Sequence, residues 1–275
     1  MTRYGIDGRY WLNWPIVLQE QVAPYLNEYL QQLALFEHSR GQILANASQT
    51  TKIKESDKIL STPQELKKQV IQAFLLASKW YQQFILTFPK DEKTPETTYR
   101  LGEALFEAQQ YEASIQAFER YAYQHLQPDS AITKAHPKAA EAAYSAILTY
   151  QKIELSSVVS LTPQDSLPLQ DHNQQTSWLD KQLIAQENFV NVFTDDPRAS
   201  DILYSSMQQL FTLKRYQFAI AAAQQLLDWQ PQVQSERRLA SYLVIGHSQF
   251  DLLQYALGER TYDQILRLLP DNDRR

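Results

Sequence analysis

Between residues 94 and 108, apolar and polar positions recur with the period of an α-helix. One face carries only apolar and small residues, namely Leu101, Gly102, Leu105 and Ala108. Thr94 has a side chain suited to an N-cap, and Pro95 follows at the first helical position, where a missing N–H costs nothing. The pattern therefore predicts an amphipathic helix that begins just after Thr94.

A second amphipathic segment follows Tyr111, and its inward positions are Ala113, Ile115, Ala117, Phe118 and Tyr121. The same order, an apolar helix followed by a helix-starting tyrosine, recurs at Tyr216 and Tyr255. The segments that follow these tyrosines close at Pro231 and Pro270, which lie 39 residues apart. Three matches in phase predict a chain built from repeated helix pairs.

The Leu101-Gly102 pair, Tyr111 and Phe118 together resemble the tetratricopeptide repeat, whose period is about 34 residues. In that family's pattern, Gly102 would let two helices approach closely, while Tyr111 and Phe118 would fill the space between them. The resemblance implies an all-α fold, a right-handed α-solenoid of about five antiparallel helix pairs.

The repeat pattern divides the chain into an irregular lead-in and five helix pairs. The predicted segments are the lead-in at 1–23, a first pair at 24–94 with a long internal loop, a second repeat at 95–136, a third at 137–198 with an inserted loop at 156–175, a fourth at 199–235 and a fifth at 236–275. The fifth repeat lacks a polar cap, which indicates either a piece of a longer protein or self-association through the C-terminal repeat.

Individual helices are predicted from their start signals and apolar faces. In the first pair, a helix from Pro24 to about Leu44 has Tyr25, Leu26, Tyr29, Leu30, Leu33 and Phe36 on its apolar side. A capping box at residues 62–65 starts the next helix, which runs to about Thr87. In the third pair, His136-Pro137 opens one helix and Ser177 caps the other.

Composition narrows the classes of function. The 275 residues include 26 basic and 31 acidic side chains, a net charge of −5 with scattered basic residues, which disfavours nucleic-acid binding. There is no cysteine, so disulfides and thiolate metal sites are excluded. No apolar run is long enough for a membrane span, and the first residues lack the order of a signal peptide.

Candidate chemistry is sparse. None of the five histidines pairs with another at helical metal-site spacing, and the sequence has neither a glycine-rich phosphate loop nor a nucleophile elbow. Glu103 and Glu107 lie four residues apart, but this spacing is common among solvated carboxylates. We therefore predict no catalytic residue, no metal site and no cofactor, and a protein that is not an enzyme.

The resemblance implies a concave groove lined by the first helix of each pair. Carried onto this chain, the groove positions are Tyr99, Glu103 and Phe106, Tyr144, then Tyr204, Gln208 and Phe211, and finally Leu243, His247 and Phe250. Tyrosines and phenylalanines contribute a large contact area at small entropic cost, which suits capture of a peptide or a partner helix. These positions lack the lysines and arginines of a groove that binds C-terminal carboxylates.

The expected function is thus a protein–protein interaction scaffold. The segments WYQQFILTFPKD and YRLGEALFEAQQYEASIQAFERYAYQ are similar to those of bacterial cell-envelope tetratricopeptide proteins. This similarity implies a periplasmic or envelope-associated location, with the cytoplasm as the alternative. The alternative function is the non-catalytic superhelical domain of a larger envelope enzyme, such as one that cleaves murein.

Overall fold

The computed structural model describes residues 16–50, 63–126, 135–159 and 172–268, and within these ranges the secondary structure is helical, without strands. Its α-helices are α1 (Ile16–Thr50), α2 (Pro63–Thr87), α3 (Thr94–Glu107), α4 (Tyr111–Tyr123), α5 (Ala139–Val159), α6 (His172–Val192), α7 (Ala199–Thr212), α8 (Tyr216–Leu227), α9 (Ser235–Asp251) and α10 (Tyr255–Leu268). The fold is therefore all-α. The chain divides into two compact units, Met1–Ser166 and Leu167–Arg275.

In the first unit, the helices pack in sequence: α1 against α2, α2 against α3, α3 against α4 and α4 against α5. Phe74, Phe84 and Ile147 are among the largest side chains that are fully buried. Gly41 lies where α1 crosses α2, and a Cβ placed there would be 2.8 Å from the Phe74 ring. Burying a phenylalanine side chain contributes roughly 1.5–3 kcal/mol, so these side chains stabilise the first unit.

The second unit repeats this arrangement with α6 to α10. Each helix packs against the next, and α7 also contacts α9, the first helix of the following pair. Phe189, Met207 and Leu226 form its fully buried centre. Contacts between sequential helices, together with the α7–α9 contact, give the unit a repeat-like organisation.

Three turns share one hydrogen-bonding pattern. They join α3 to α4, α7 to α8 and α9 to α10, and their central residues, Gln109, Lys214 and Leu253, have φ angles of 60°, 57° and 61°. In each turn, the central N–H donates to the carbonyl three residues back, and the next N–H donates to the carbonyl five residues back, with N···O distances of 2.8–2.9 Å. This left-handed closure satisfies the last carbonyls of one helix and starts the next at Tyr111, Tyr216 or Tyr255, as predicted.

A second type of turn precedes α3 and α7. The carboxylates of Asp91 and Asp196 each accept the backbone N–H two residues later, at 2.9 Å in both turns. The ring pairs before them also match, with centroids 5.4 Å apart for Phe84–Phe88 and 5.3 Å apart for Phe189–Phe193. Matching positions differ by 105 in residue number, so residues 84–123 and 189–228 form a first and a second module with the same turns.

The helix crossings pair one small residue with one large residue. A Cβ on Gly102 would lie 2.7 Å from the Phe118 ring, which confirms that Phe118 fills the space beside this glycine. At the matching positions of the second module, Met207 and Ala223 are both fully buried. The α9–α10 crossing returns to the first arrangement, with a Cβ on Gly246 3.2 Å from Tyr262.

The predicted end of α2 at Thr87 is confirmed, but the bounds of α1 were wrong. Helix α1 begins at Ile16 and continues to Thr50, with Pro24 inside it. Pro24 is on the exposed side, where water can hydrogen-bond the carbonyl that a proline leaves without a partner. The predicted apolar side is also only partly buried: Leu30 is in the core, whereas Tyr25 and Phe36 are more than 60% exposed.

Two predicted helix caps were also wrong. Thr94 is already helical, and its hydroxyl donates to the Phe88 carbonyl, because the turn before it is closed by Asp91. Helix α5 extends to Val159 and α6 begins at His172, so Ser177 lies within a helix. Residues 156–159 and 172–175 of the predicted loop are likewise helical, and residues 160–171 fall outside the described residues. The predictions for Thr62, for residues 1–15 of the lead-in and for Pro270 fall outside the described residues.

Candidate functional site

An open cavity of about 560 Å³ lies in the first unit, between three helices that the sequence analysis assigned as first helices of pairs. Helix α1 contributes His38 and Gln42, α3 contributes four side chains and α5 contributes Ser145, Leu148 and Thr149. The α3 side chains are Tyr99, Glu103, Phe106 and Glu107. A cavity of this size falls in the range of about 300–1,000 Å³ that is typical of ligand pockets.

Tyr99 lines this cavity, but it is part of the core. Its side chain is only 5% exposed, and its ring packs 5.8 Å from Phe118 and 5.4 Å from Tyr121 between centroids. The Lys138 ammonium lies 4.8 Å from the Tyr99 centroid, a cation–π distance. Burial, aided by Glu103 and Glu141, raises the pKa of the Tyr99 hydroxyl. Tyr99 therefore stabilises the cavity wall and presents little surface to a partner.

Phe106 on α3 and Leu148 on α5 supply more accessible apolar surface to the cavity. Phe106 is half-buried, with its ring centroid 5.7 Å from that of Tyr111. Leu148 on α5 is 42% exposed. Phe106 was predicted from the sequence as a groove residue, whereas Leu148 was not, although Leu148 follows Tyr144 at the spacing that separates Glu103 from Tyr99.

The two carboxylates on α3 line this cavity, where Glu103 is half-buried and Glu107 is exposed. Partial desolvation of each carboxyl group raises the pKa of Glu103 and that of Glu107 above their ordinary values. For Glu103, the fields of Lys138 and Arg100 oppose this shift, while Glu96 and Glu141 add to it. A carboxylate with a raised pKa is one whose charge the folded protein solvates less well than water does.

The α1 wall carries no charge at neutral pH. The Tyr81 hydroxyl lies 3.2 Å from Nδ1 of His38. Burial, with a smaller contribution from Arg100, lowers the pKa of His38, and burial raises the pKa of Tyr81 to about 12. His38 was missed in the sequence analysis, because no groove register was assigned to the first pair.

The turn before α5 places Tyr144 at the position that Tyr99 has on α3. The N–H groups of Ala139 and Ala142 donate to His136 and Lys138, just as those of Thr94 and Thr97 donate to Asp91 and Lys93. Tyr144 itself is half-buried and does not line the cavity, whose α5 wall is formed by residues 145, 148 and 149.

In the second unit, the predicted residues of α7 lie close together. The Tyr204 hydroxyl accepts a hydrogen bond from Nε2 of Gln208 at 2.9 Å, and the Arg237 guanidinium lies 5.4 Å from the Tyr204 ring centroid. Phe211 is 6.3 Å from His247 between ring centroids, which brings the α7 and α9 sets into one surface.

The α9 residues of this surface are more exposed. Nδ1 of His247 lies 2.8 Å from the Tyr262 hydroxyl, and the imidazole remains exposed. Leu243 is 36% exposed and Phe250 is 56% exposed, with the Phe250 ring 5.0 Å from that of Tyr255. The predicted residues thus form two sets, one around the cavity of the first unit and one on α7 and α9.

Comparison with protein-family models gives no match, and comparison with curated protein sequences finds no significant similarity. Among the described residues, no group of three or more histidine, aspartate or glutamate side chains is arranged to hold a metal ion. Searched over the same residues, the helices include none with the length and apolar character needed to cross a bilayer.

Proposed function

We propose that this chain is a protein–protein interaction scaffold whose helix pairs stack as a right-handed α-solenoid of the tetratricopeptide-repeat type. A peptide or a helix of another protein binds in the groove lined by the first helices of the pairs. The protein acts by binding rather than by catalysis, and the similarity of its sequence segments to envelope proteins extends the proposal to the bacterial cell envelope.

The observation that carries this proposal is the cavity of the first unit. Its walls come from α1, α3 and α5, which are first helices of successive pairs, whereas α2 and α4 supply only the buried rings of Phe74 and Phe118. An accessible aromatic and aliphatic surface, at Phe106 and Leu148, faces a few polar groups there. This combination is typical of sites that bind peptides, in which apolar anchors give affinity and polar groups fix the register.

The α7–α9 surface supports the same function in the second unit. It combines an accessible aromatic ring at Phe250 with polar groups at Gln208 and His247, all on first helices of pairs. Each unit could therefore bind its own segment of a partner.

A random peptide library, selected on the immobilised full chain, tests the proposal. Peptides selected on the first unit's cavity should bind Phe106→Ala and Leu148→Ala about tenfold more weakly than the wild type, because each change removes an anchor contact. The matched control is Phe36→Ala, which removes a phenylalanine that is 65% exposed on α1 and lies outside the cavity. Circular dichroism checks that each variant stays helical.

Two results would contradict the proposal. In the first, selection returns no peptide above background. In the second, the selected peptides bind Phe106→Ala and Leu148→Ala as tightly as the wild type, and alanine at Phe250 or Leu243 also leaves their affinity unchanged.

A further inference from the structure

The cavity of the first unit contains two carboxylates one helical turn apart without a paired cation. Glu103 and Glu107 both line the cavity, and neither forms an ion pair within the part of the chain that the structure describes. Like charges at this spacing repel one another on a helix. The free protein therefore holds a pair of negative charges there at a cost to its own stability.

The nearby cations are engaged outside the cavity. The Arg100 Nε atom lies 3.3 Å from the Glu96 carboxylate, and the Lys138 ammonium lies 3.6 Å from the same carboxylate. Lys138 also covers the Tyr99 ring. Neither Arg100 nor Lys138 is among the cavity-lining residues, so both act on Glu103 only from a distance.

The remaining walls are neutral. Gln42, Ser145 and Thr149 carry no charge, and the lowered pKa of His38 keeps its imidazole neutral at physiological pH. The aromatic ring of Phe106 and the side chain of Leu148 offer an apolar surface beside the carboxylates. A long cationic side chain complements such a site, because its methylene stem packs on apolar groups while its charged end meets the carboxylates.

We infer that the cavity of the first unit binds a peptide segment through a lysine or arginine side chain, whose cationic group lies between the carboxylates of Glu103 and Glu107 and whose stem packs on Phe106 and Leu148. This inference rests on the proposed function and specifies the chemistry of its ligand. It gives the first unit a preference for basic segments.

The second unit provides an internal comparison. At the positions that match Glu103 and Glu107 in the second module, the chain carries Gln208 and Thr212. Both side chains are neutral, so the α7 helix presents no equivalent pair of charges. The preference for a cation should therefore depend on α3 and should not be a general property of this acidic protein.

The test uses the peptides selected from the random library on the full chain. The peptides that bind in the first unit's cavity are those whose affinity falls in Phe106→Ala or Leu148→Ala. They should be enriched in lysine and arginine relative to the unselected library. Glu103→Gln combined with Glu107→Gln should weaken their binding about a hundredfold, roughly tenfold for each charge-assisted hydrogen bond lost. Replacing the peptide's basic residue with norleucine should weaken binding to the wild type by the same factor. The norleucine peptide should bind the double glutamine variant only slightly more weakly still.

The matched control is Glu92→Gln combined with Glu112→Gln, which removes the same net charge at two exposed positions outside the cavity. This control should leave the affinity within about twofold of the wild type, since exposed charges contribute little.

A second readout is the thermal stability of the free protein. Removing the unpaired carboxylates at 103 and 107 should leave the melting temperature unchanged or raise it, which separates lost recognition from lost folding.

The outcomes separate this inference from the proposed function. Cavity-binding peptides that depend on Phe106 but show no basic enrichment, or that tolerate the double glutamine variant, would overturn the inference and leave the proposed function in place. Equal weakening by the Glu92/Glu112 control would also overturn it, because binding would then follow net charge. Failure to select any peptide that depends on the groove would overturn both.

Discussion

The first and second modules have the same backbone turns but opposite packing at their centres. Residues 84–123 and 189–228 share the aspartate turn, the tilted phenylalanine pair and the left-handed closure before a helix-starting tyrosine. At the helix crossing, the first module has Gly102 against Phe118, and the second has the fully buried Met207 and Ala223 at the matching positions. The small and large residues have changed sides.

The comparison separates the features that the two modules share, the backbone turns, from those in which they differ, the side chains at the crossing. The turns depend on backbone hydrogen bonds, which most side chains can support, whereas the crossing depends on the summed volume of two facing residues. The charge on the surface of the first helix is set neither by the turns nor by the packing at the crossing. The first module places Glu103 and Glu107 where the second places Gln208 and Thr212, so the modules share a scaffold and differ in the surface that the proposal assigns to partners.

The largest expected effect comes from breaking the volume match in the first module. Gly102→Met would force a side chain against the Phe118 ring, 2.7 Å from the added Cβ, and should destabilise the protein by about 3 kcal/mol. Phe118→Ala alone should cost about 3–5 kcal/mol. Urea unfolding followed by circular dichroism measures both changes.

The double variant, Gly102→Met with Phe118→Ala, reproduces the arrangement of the second module. It should be more stable than the sum of the single changes predicts, by about 1–2 kcal/mol, because methionine then fills the space left by the ring. Strict additivity would mean that the two modules do not share a crossing.

A smaller effect on stability should follow from removing Asp196, the aspartate in the turn before α7 of the second module. The Asp196 carboxylate accepts hydrogen bonds from Nε and Nη2 of Arg198 at 2.8 and 2.7 Å, as well as from the backbone. Asp196→Ala should therefore cost about 1–2 kcal/mol in the free energy of unfolding. The neighbouring Asp195→Ala, at an exposed position, is the control and should change little.

This interaction also gives the second unit a defined pH dependence. The hydrogen bonds from Arg198 lower the pKa of Asp196 below its ordinary value of 3.8. The stabilisation is thus fully present above that value, and it is lost as the pH falls through the lower pKa of the folded state. Thermal melts of wild type and Asp196→Ala should converge in acid; a constant difference at every pH would show that the carboxylate's charge is not involved.

The smallest effect concerns the left-handed turns. Leu253 has a φ of 61° and is 70% exposed, so Leu253→Gly removes backbone strain without losing buried contacts. After the entropic cost of glycine is subtracted, the variant should gain about 0.5–1 kcal/mol. Leu257→Gly, within α10, is the comparison and should lose about 1 kcal/mol. A loss of stability in Leu253→Gly would argue against a strained turn.

The sequence predicted the features that depend on local chemistry. Helix starts at Tyr111, Tyr216 and Tyr255 and the end of α2 follow from amphipathic period and turn residues, and the structure confirms them. The start of α1 did not follow, because Pro24 reads as a helix start, yet an exposed proline is tolerated within this helix. Ser177 was misassigned for a similar reason, since a serine can cap a helix or lie within one.

The chemistry of the cavity depends on long-range packing, which a single helix pattern does not contain. The register placed Tyr99 on a groove, but the rings of Phe118 and Tyr121 cover it. The spacing of Glu103 and Glu107 did not indicate that they share a cavity with residues of α1 and α5. The residue types were visible in the sequence, whereas their surroundings required the fold.

The most direct test of the proposed scaffold is hydrogen exchange of the full chain, with and without a saturating peptide from the library selection. We predict slower exchange in the parts of α1, α3 and α5 that face the cavity, or in α7 and α9 for peptides of the second unit. Exchange in the outer surfaces of α2, α4 and α8 should not change. Protection confined to those second helices, with the first helices unaffected, would contradict the central claim that partners bind along the first helix of each pair.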